Sequence, residues 1–175
     1  MEVRRLLIKN LKNKYNNLSL IEKFFSISVV TFLSWSLFYN FILLDSPVDL
    51  LLIRYAVKCA SAVLNLFNFE TDVFFNQISI IGEKGILINN GCNILKVFGF
   101  YISFVFGYPN SITKKLIYSL IGFSLLFLMN VFRISIFTLI TAYTPEYWPI
   151  IHKYSTFIIF YPIIFSLWSS LIKKS

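Results

Sequence analysis

The chain has 175 residues, of which 57% are hydrophobic, 19% aromatic and only 14% charged, with a mean hydropathy of +0.73. A soluble domain of this size carries roughly 25% charged residues, so lipid must solvate the apolar side chains that one small core cannot bury, and the length suits a single domain. The net charge of +8 flanks apolar segments and forms no basic stripe with interleaved aromatics, which points to membrane topology and anionic lipid and excludes a nucleic-acid partner.

Residues 1–23 form a basic, polar lead-in, too long for a signal-peptide n-region. No small-x-small cleavage site follows the first apolar run, so it reads as an uncleaved signal anchor. Residues 24–44 carry no charge before Asp45. At ~1.5 Å per residue such a run spans roughly 30 Å of hydrocarbon. Asp45, Ser46 and Pro47 end it with turn chemistry. Over residues 48–69, Arg54, Lys58, Ser61, Asn65 and Asn68 share one helical stripe, with Leu51, Leu52, Tyr55, Cys59, Ala62, Val63 and Leu66 on the other side. That period predicts an amphipathic helix lying at the interface or packed on the bundle. A spanning helix is the alternative, and it would invert everything that follows. Residues 70–90, with Gly82 and Gly85 around Glu83 and Lys84, read as two short strands and a turn outside the membrane.

Three further apolar segments complete the chain. Residues 93–109 are short for a span, residues 116–144 are long and interrupted by Asn130 and Arg133, and residues 154–172 contain Pro162. With the N-terminus in the cytoplasm, Arg4, Arg5, Lys9, Lys12, Lys14, Lys23, Lys114, Lys115, Lys173 and Lys174 fall inside. Most acidic residues (Asp45, Asp49, Glu70, Asp72, Glu83, Glu146) then fall outside. Four spans satisfy this positive-inside pattern and five do not. The expected fold is an all-α polytopic bundle of about four transmembrane helices, one amphipathic interfacial helix and a small extracytoplasmic β-hairpin, with both termini cytoplasmic.

This topology brings three reactive groups to one side of the membrane. Cys92 lies at the outer start of the second span, His152 at the outer start of the fourth, and Arg133 about 15 Å below the outer end of the third, at ~1.5 Å per residue. A thiolate is a strong nucleophile and is favoured by a helix N-terminus or a nearby cation. An imidazole within reach can hold the thiol proton and later protonate a leaving amine. A guanidinium cannot lose its proton, and its forked donors suit an oxyanion in a water-poor site. Burying it in a membrane helix costs about 2.5–3.5 kcal/mol on insertion scales, which marks a purpose. Asn130, one turn earlier, shares its face and is a candidate to orient it. Cys59 reads as a packing residue, and Tyr101, Tyr108, Tyr143, Tyr147 and Trp148 as interface-belt aromatics. The cysteine and histidine content offers neither a disulfide scaffold nor a metal site.

The segments NNGCNILKVFGFYISF, LFLMNVFRISIFTLI and IIHKYSTFIIFYPIIFSLW, in this order, resemble the signature blocks of the exosortase/archaeosortase family, and most of all its short Bacteroidetes-type members. The resemblance covers about residues 86–172. It implies a membrane cysteine protease/transpeptidase that cleaves exported proteins at a C-terminal tail of motif, transmembrane helix and basic cluster, then passes them to an anchor. Cys92, Arg133 and His152 match the family's catalytic triad, with Asn130 and Asn93 in supporting positions, and no metal or organic cofactor is implied. Many members carry Ser-Gly after the cysteine where this chain has Asn93 and Ile94, a departure that bears on the recognised motif more than on reaction class. The partners implied are tail-bearing exported proteins and membrane lipids. A reading from a different class is a non-enzymatic membrane assembly or transport subunit in which Arg133 binds lipid or a partner helix.

Overall fold

The computed structural model describes residues 18–89 and 94–173. Among them run α1 (Leu20–Phe38), which continues as a π-helical turn over Tyr39–Leu43, then α2 (Pro47–Leu66), strands β1 (Thr71–Phe74), β2 (Gln77–Ile80) and β3 (Ile86–Leu87), α3 (Leu95–Gly107), α4 (Ile112–Tyr143), a 3-10 turn (Pro145–Tyr147) and α5 (Trp148–Lys173). Three helical stretches are long and apolar enough to cross a membrane, Leu20–Leu43, Ile112–Tyr143 and Pro145–Lys173. The expected second span is the 13-residue α3. At ~1.5 Å per residue it covers only about 20 Å, short of a hydrocarbon core.

The caps are written in the sequence. Ser19 accepts from the Glu22 N–H while Glu22 reaches back to the Ser19 N–H, a reciprocal capping box that starts α1. Ser46 caps α2 with Pro47 at its first position, and Ser111 caps α4.

Short as it is, α3 is the element on which the others dock. The Trp35 indole donates to Leu95 O (2.8 Å) from α1, the Tyr101 hydroxyl donates to Tyr118 O (2.9 Å) on α4, and the Trp168 indole donates to Tyr101 O (3.3 Å) from α5. Close approach is what makes these bonds possible. A Cβ on Gly99 would run into the Trp35 ring, one on Gly107 into Ser28 and Phe24, and one on Gly122 into Tyr101. Small residues at helix crossings are how membrane helices gain contact without a hydrophobic drive between them. Tyr101 is therefore fully buried and not an interface-belt residue, because its ring fills the notch above Gly122.

Two clusters of buried residues divide the core. One joins α3, the first half of α4 and α5 through Ile94, Ile102, Val105, Leu126, Phe160 and Ile164. The other joins α2, the sheet and the second half of α4 through Ile53, Val57, Leu64, Ile78, Ile88 and Ile134. In α2 the packed face is Ile53, Ala56, Val57, Ala60 and Leu64, not the apolar side expected from the polar stripe. Leu51, Tyr55 and Leu66 stay exposed, as does the free thiol of Cys59, so Cys59 is not a packing residue. The reason is size. Ala56 and Ala60 let α2 approach α4, where Ser135 Oγ points at Ala60 O (3.5 Å). The remaining apolar face is left open.

The expected hairpin is a three-stranded antiparallel sheet in the order β1-β2-β3. The glycine-flanked turn separates β2 from β3, with Gly82 at φ 86. A second turn of two residues, Phe75 and Asn76, separates β1 from β2. It was hidden because an aromatic residue, Phe75, takes the positive φ (53) that such loops normally give to glycine or asparagine.

Replacing Gly99 by valine is expected to destabilise the bundle by about 1–3 kcal/mol, the usual cost of overpacking a filled interface. Thermal unfolding of the detergent-solubilised chain measures it, and an unchanged midpoint would show that α1 docks elsewhere.

Candidate functional site

Arg133 lies on the buried face of α4, 8% exposed. Its guanidinium sits over the ring of Phe137, 4.9 Å from the centroid, and 5.8 Å from that of Phe160 on α5. Phe137 follows Arg133 by one helical turn, so α4 supplies both cation and ring face. Arg133 Nε donates to Ser155 Oγ at 3.1 Å, and that hydroxyl donates to His152 O at 3.2 Å. Ser155 is 4% exposed and bridges the guanidinium of one helix to the histidine turn of the next.

His152 stands one turn into α5, one turn before Ser155. Its ring lies 5.7 Å from Phe137 and 5.4 Å from Trp148. The side chain is exposed on its other side. The Arg133 guanidinium and the His152 ring thus both lie against the Phe137 ring, and the Ser155 hydroxyl bonds the Arg133 Nε and the His152 backbone carbonyl. Trp148 is half-buried, its ring 4.9 Å from Phe137, and serves as a wall of the site more than as a belt residue.

Asn130 is 3% exposed, and its Oδ1 has no hydrogen-bond partner. Ser155, not Asn130, is the residue hydrogen-bonded to Arg133 Nε. Serine 155 escaped the sequence reading because a lone serine in an apolar helix is ordinary. The signal available was its place three residues after His152, on the same helical side. Among the described residues no three His, Cys, Asp or Glu side chains gather as metal ligands would.

Cys92 and Asn93 lie outside the described residues. Their neighbours are well fixed. Ile88 is buried in the sheet-side cluster with Val131, Ile134 and Phe137, and Ile94 in the helical cluster with Leu126. Asn130 and Arg133 occupy the stretch of α4 between Leu126 and Ile134, where the two clusters meet. A buried cation, an open acceptor and an imidazole at the seam of two cores form an arrangement suited to polarising a carbonyl and passing a proton.

The sequence model of a family described as transmembrane exosortase matches residues 21–169. No curated protein and no solved structure matches the chain.

Ser155→Ala removes the acceptor of a buried charged donor and is expected to cost about 1–3 kcal/mol of stability. Ser155→Thr, which keeps the hydroxyl, should recover most of it. Equal unfolding midpoints for the alanine and threonine variants would show that the bond contributes nothing.

Proposed function

Because the chain belongs to the transmembrane exosortase family, we propose that it is a cysteine transpeptidase of the cytoplasmic membrane that cleaves the C-terminal sorting tails of exported proteins at the extracytoplasmic face. The observation supporting this reading is the Arg133–Ser155–His152 link, which ties a buried cation to the turn bearing the imidazole. In this reading α3 is the fourth membrane helix, both termini are cytoplasmic, and the sheet and α2 lie on the outer side.

The chemistry follows from the groups. The Cys92 thiol gives its proton to the His152 imidazole, the thiolate sulfur attacks the carbonyl carbon of the scissile bond, and the carbonyl electron pair moves onto oxygen. The Arg133 guanidinium, which cannot lose its proton, stabilises that oxyanion where little water competes. As the tetrahedral species collapses, the C–N bond breaks, and His152 gives its proton to the leaving nitrogen. The mature protein is left as a thioester on Cys92. An amine or hydroxyl on an anchor, or water, then attacks the thioester, and the thiol is regenerated. The substrate's hydrophobic tail lies against the bundle from the side while this happens, among the lipids.

Ser155 is a positioning residue in this scheme. It accepts from Nε, which fixes the orientation of the planar guanidinium and of its forked donors.

Two outcomes are expected. Cys92→Ala should make a tail-bearing precursor accumulate uncut in the membrane, and Cys92 in a Cys59→Ser background should react with a membrane-impermeant maleimide from outside. Normal processing by Cys92→Ala would sink the enzymatic reading in favour of an assembly role. Arg133→Lys keeps the charge but loses the forked donors and should lower turnover by about 10²–10³, the range for loss of an oxyanion donor. Precursor cleavage rate in membranes measures it, and an unimpaired lysine variant would remove Arg133 from the oxyanion role.

A further inference from the structure

The open edge of the sheet faces a cleft that no step above uses. β3 is paired on one side only. Just beyond it, Ile88 N–H donates to Asn76 O (2.9 Å), and the Asn76 side-chain amide donates to Ile88 O (2.9 Å). Ile86 is registered with Ile78. On the far side of β2, Ile81 N–H donates to Glu70 O (2.9 Å), so odd-numbered β2 residues turn toward β1 and Ile78 toward β3. In an antiparallel ladder successive residues turn their backbone groups to opposite edges. Leu87, between Ile86 and Ile88, therefore turns its N–H and C=O away from the sheet, and it is 60% exposed.

Beside that edge lies a cleft of about 360 Å³ lined by Ile86, Leu87, Thr141, Pro145 and Trp148. Its walls come from β3, the end of α4 and the start of α5. The lining is apolar except for Thr141, whose Oγ1 is buried without a partner. Trp148 forms one wall, and its ring lies 5.4 Å from that of His152. A free donor–acceptor pair at strand spacing, an apolar hollow and the imidazole of His152 are thus contiguous.

We infer that this edge is where the substrate is read. An extended peptide segment of the precursor adds to β3 as a further strand, exchanging two backbone hydrogen bonds with Leu87. One of its apolar side chains enters the cleft against Trp148 and Pro145. An extended polypeptide is the ligand that offers an N–H and a C=O at this spacing, whereas a lipid tail has neither. Strand addition gives affinity through the main chain and specificity through one pocket. It also keeps the peptide extended beside His152, with its scissile bond accessible. The inference rests on the transpeptidase reading and adds the class of segment recognised and the surface that recognises it.

The test uses the full-length protein in its membrane. In a Cys92→Ala background, p-benzoylphenylalanine is placed at Leu87 or, as comparison, at Asp72 on β1, the opposite edge of the sheet. The probe is the epitope-tagged precursor that accumulates uncut in that background. Irradiation should couple the precursor to position 87 within a few residues of its cleavage site, and not to position 72. With Cys92 intact, Leu87→Pro removes the outward N–H without touching the β2–β3 ladder, a substitution edge strands accept. It should slow processing about five- to tenfold, as loss of one hydrogen bond would. Coupling at neither position while the precursor co-purifies, or equal coupling at both, overturns the inference. If the proline variant accumulates poorly, the cross-link alone decides. Processing that continues in Cys92→Ala sinks the underlying reading, whereas blocked processing without coupling at Leu87 sinks only the edge.

Discussion

A guanidinium buried between two phenyl rings is the constraint around which the second half of this molecule is arranged. Placing Arg133 at 8% exposure in an apolar helix costs a few kcal/mol on insertion scales unless partners return it. The partners come from both sides of one interface, Phe137 from α4 itself, Phe160 and Ser155 from α5. A hydrogen bond of 3.1 Å between α4 and α5 fixes their register more tightly than apolar packing, which tolerates sliding. Once that register is set, the position of His152 one turn before Ser155 follows without further contacts. The cation is thus both a chemical group and the pin that locates its neighbour.

The frame holding this pin is built around the shortest apolar helix. α3 receives Trp35 from α1 and Trp168 from α5 and sends Tyr101 to α4. In lipid these hydrogen bonds cannot be traded for water, and glycines at positions 99, 107 and 122 let the backbones come close enough to make them. A helix too short to cross on its own is held by neighbours long and apolar enough to do so. Its N-terminal end lies within the bundle, where Ile94 and Leu95 are both buried.

Much of this was legible in the sequence, for physical reasons that differ by element. The long apolar helices announced themselves because lipid forbids charge over a fixed length. Arg133 stood out because a cation inside a long apolar helix is costly and draws attention to whatever packs against it. The first strand, β1, was not readable, since Phe75 adopts a positive φ with no glycine to signal the turn that follows it. The packed face of α2 was misread because hydropathy ranks Leu51 and Leu66 above Ala56 and Ala60, whereas contact with α4 rewards small residues. Ser155 was invisible for a related reason. A serine in a membrane helix declares a hydroxyl but not the helix it addresses, and only the α4–α5 register turns it toward Arg133. Tyr101 shows the limit of the belt rule, because a tyrosine at a helix crossing finds its acceptor in a neighbouring backbone as readily as in a headgroup.

The division of the core into two clusters bears on how a tailed substrate would be handled. A precursor of the proposed kind has two physically distinct parts, an apolar helix that needs only lipid-exposed surface and an extended stretch that needs paired backbone groups. A bundle alone serves the first and offers nothing to the second, because every backbone group inside a helix is already bonded. The three-stranded sheet supplies what the bundle lacks, an edge at Leu87 with outward backbone groups, and packing against Val131, Ile134 and Phe137 anchors that edge to the helix carrying Arg133. The sheet-side cluster fixes the edge relative to the guanidinium, while the helical cluster, through Phe160, fixes α5 relative to the same guanidinium. Both cores therefore register on one residue. The cleft beside that edge is walled by Trp148, whose ring lies 5.4 Å from that of His152, so a strand added at Leu87 would run toward the imidazole.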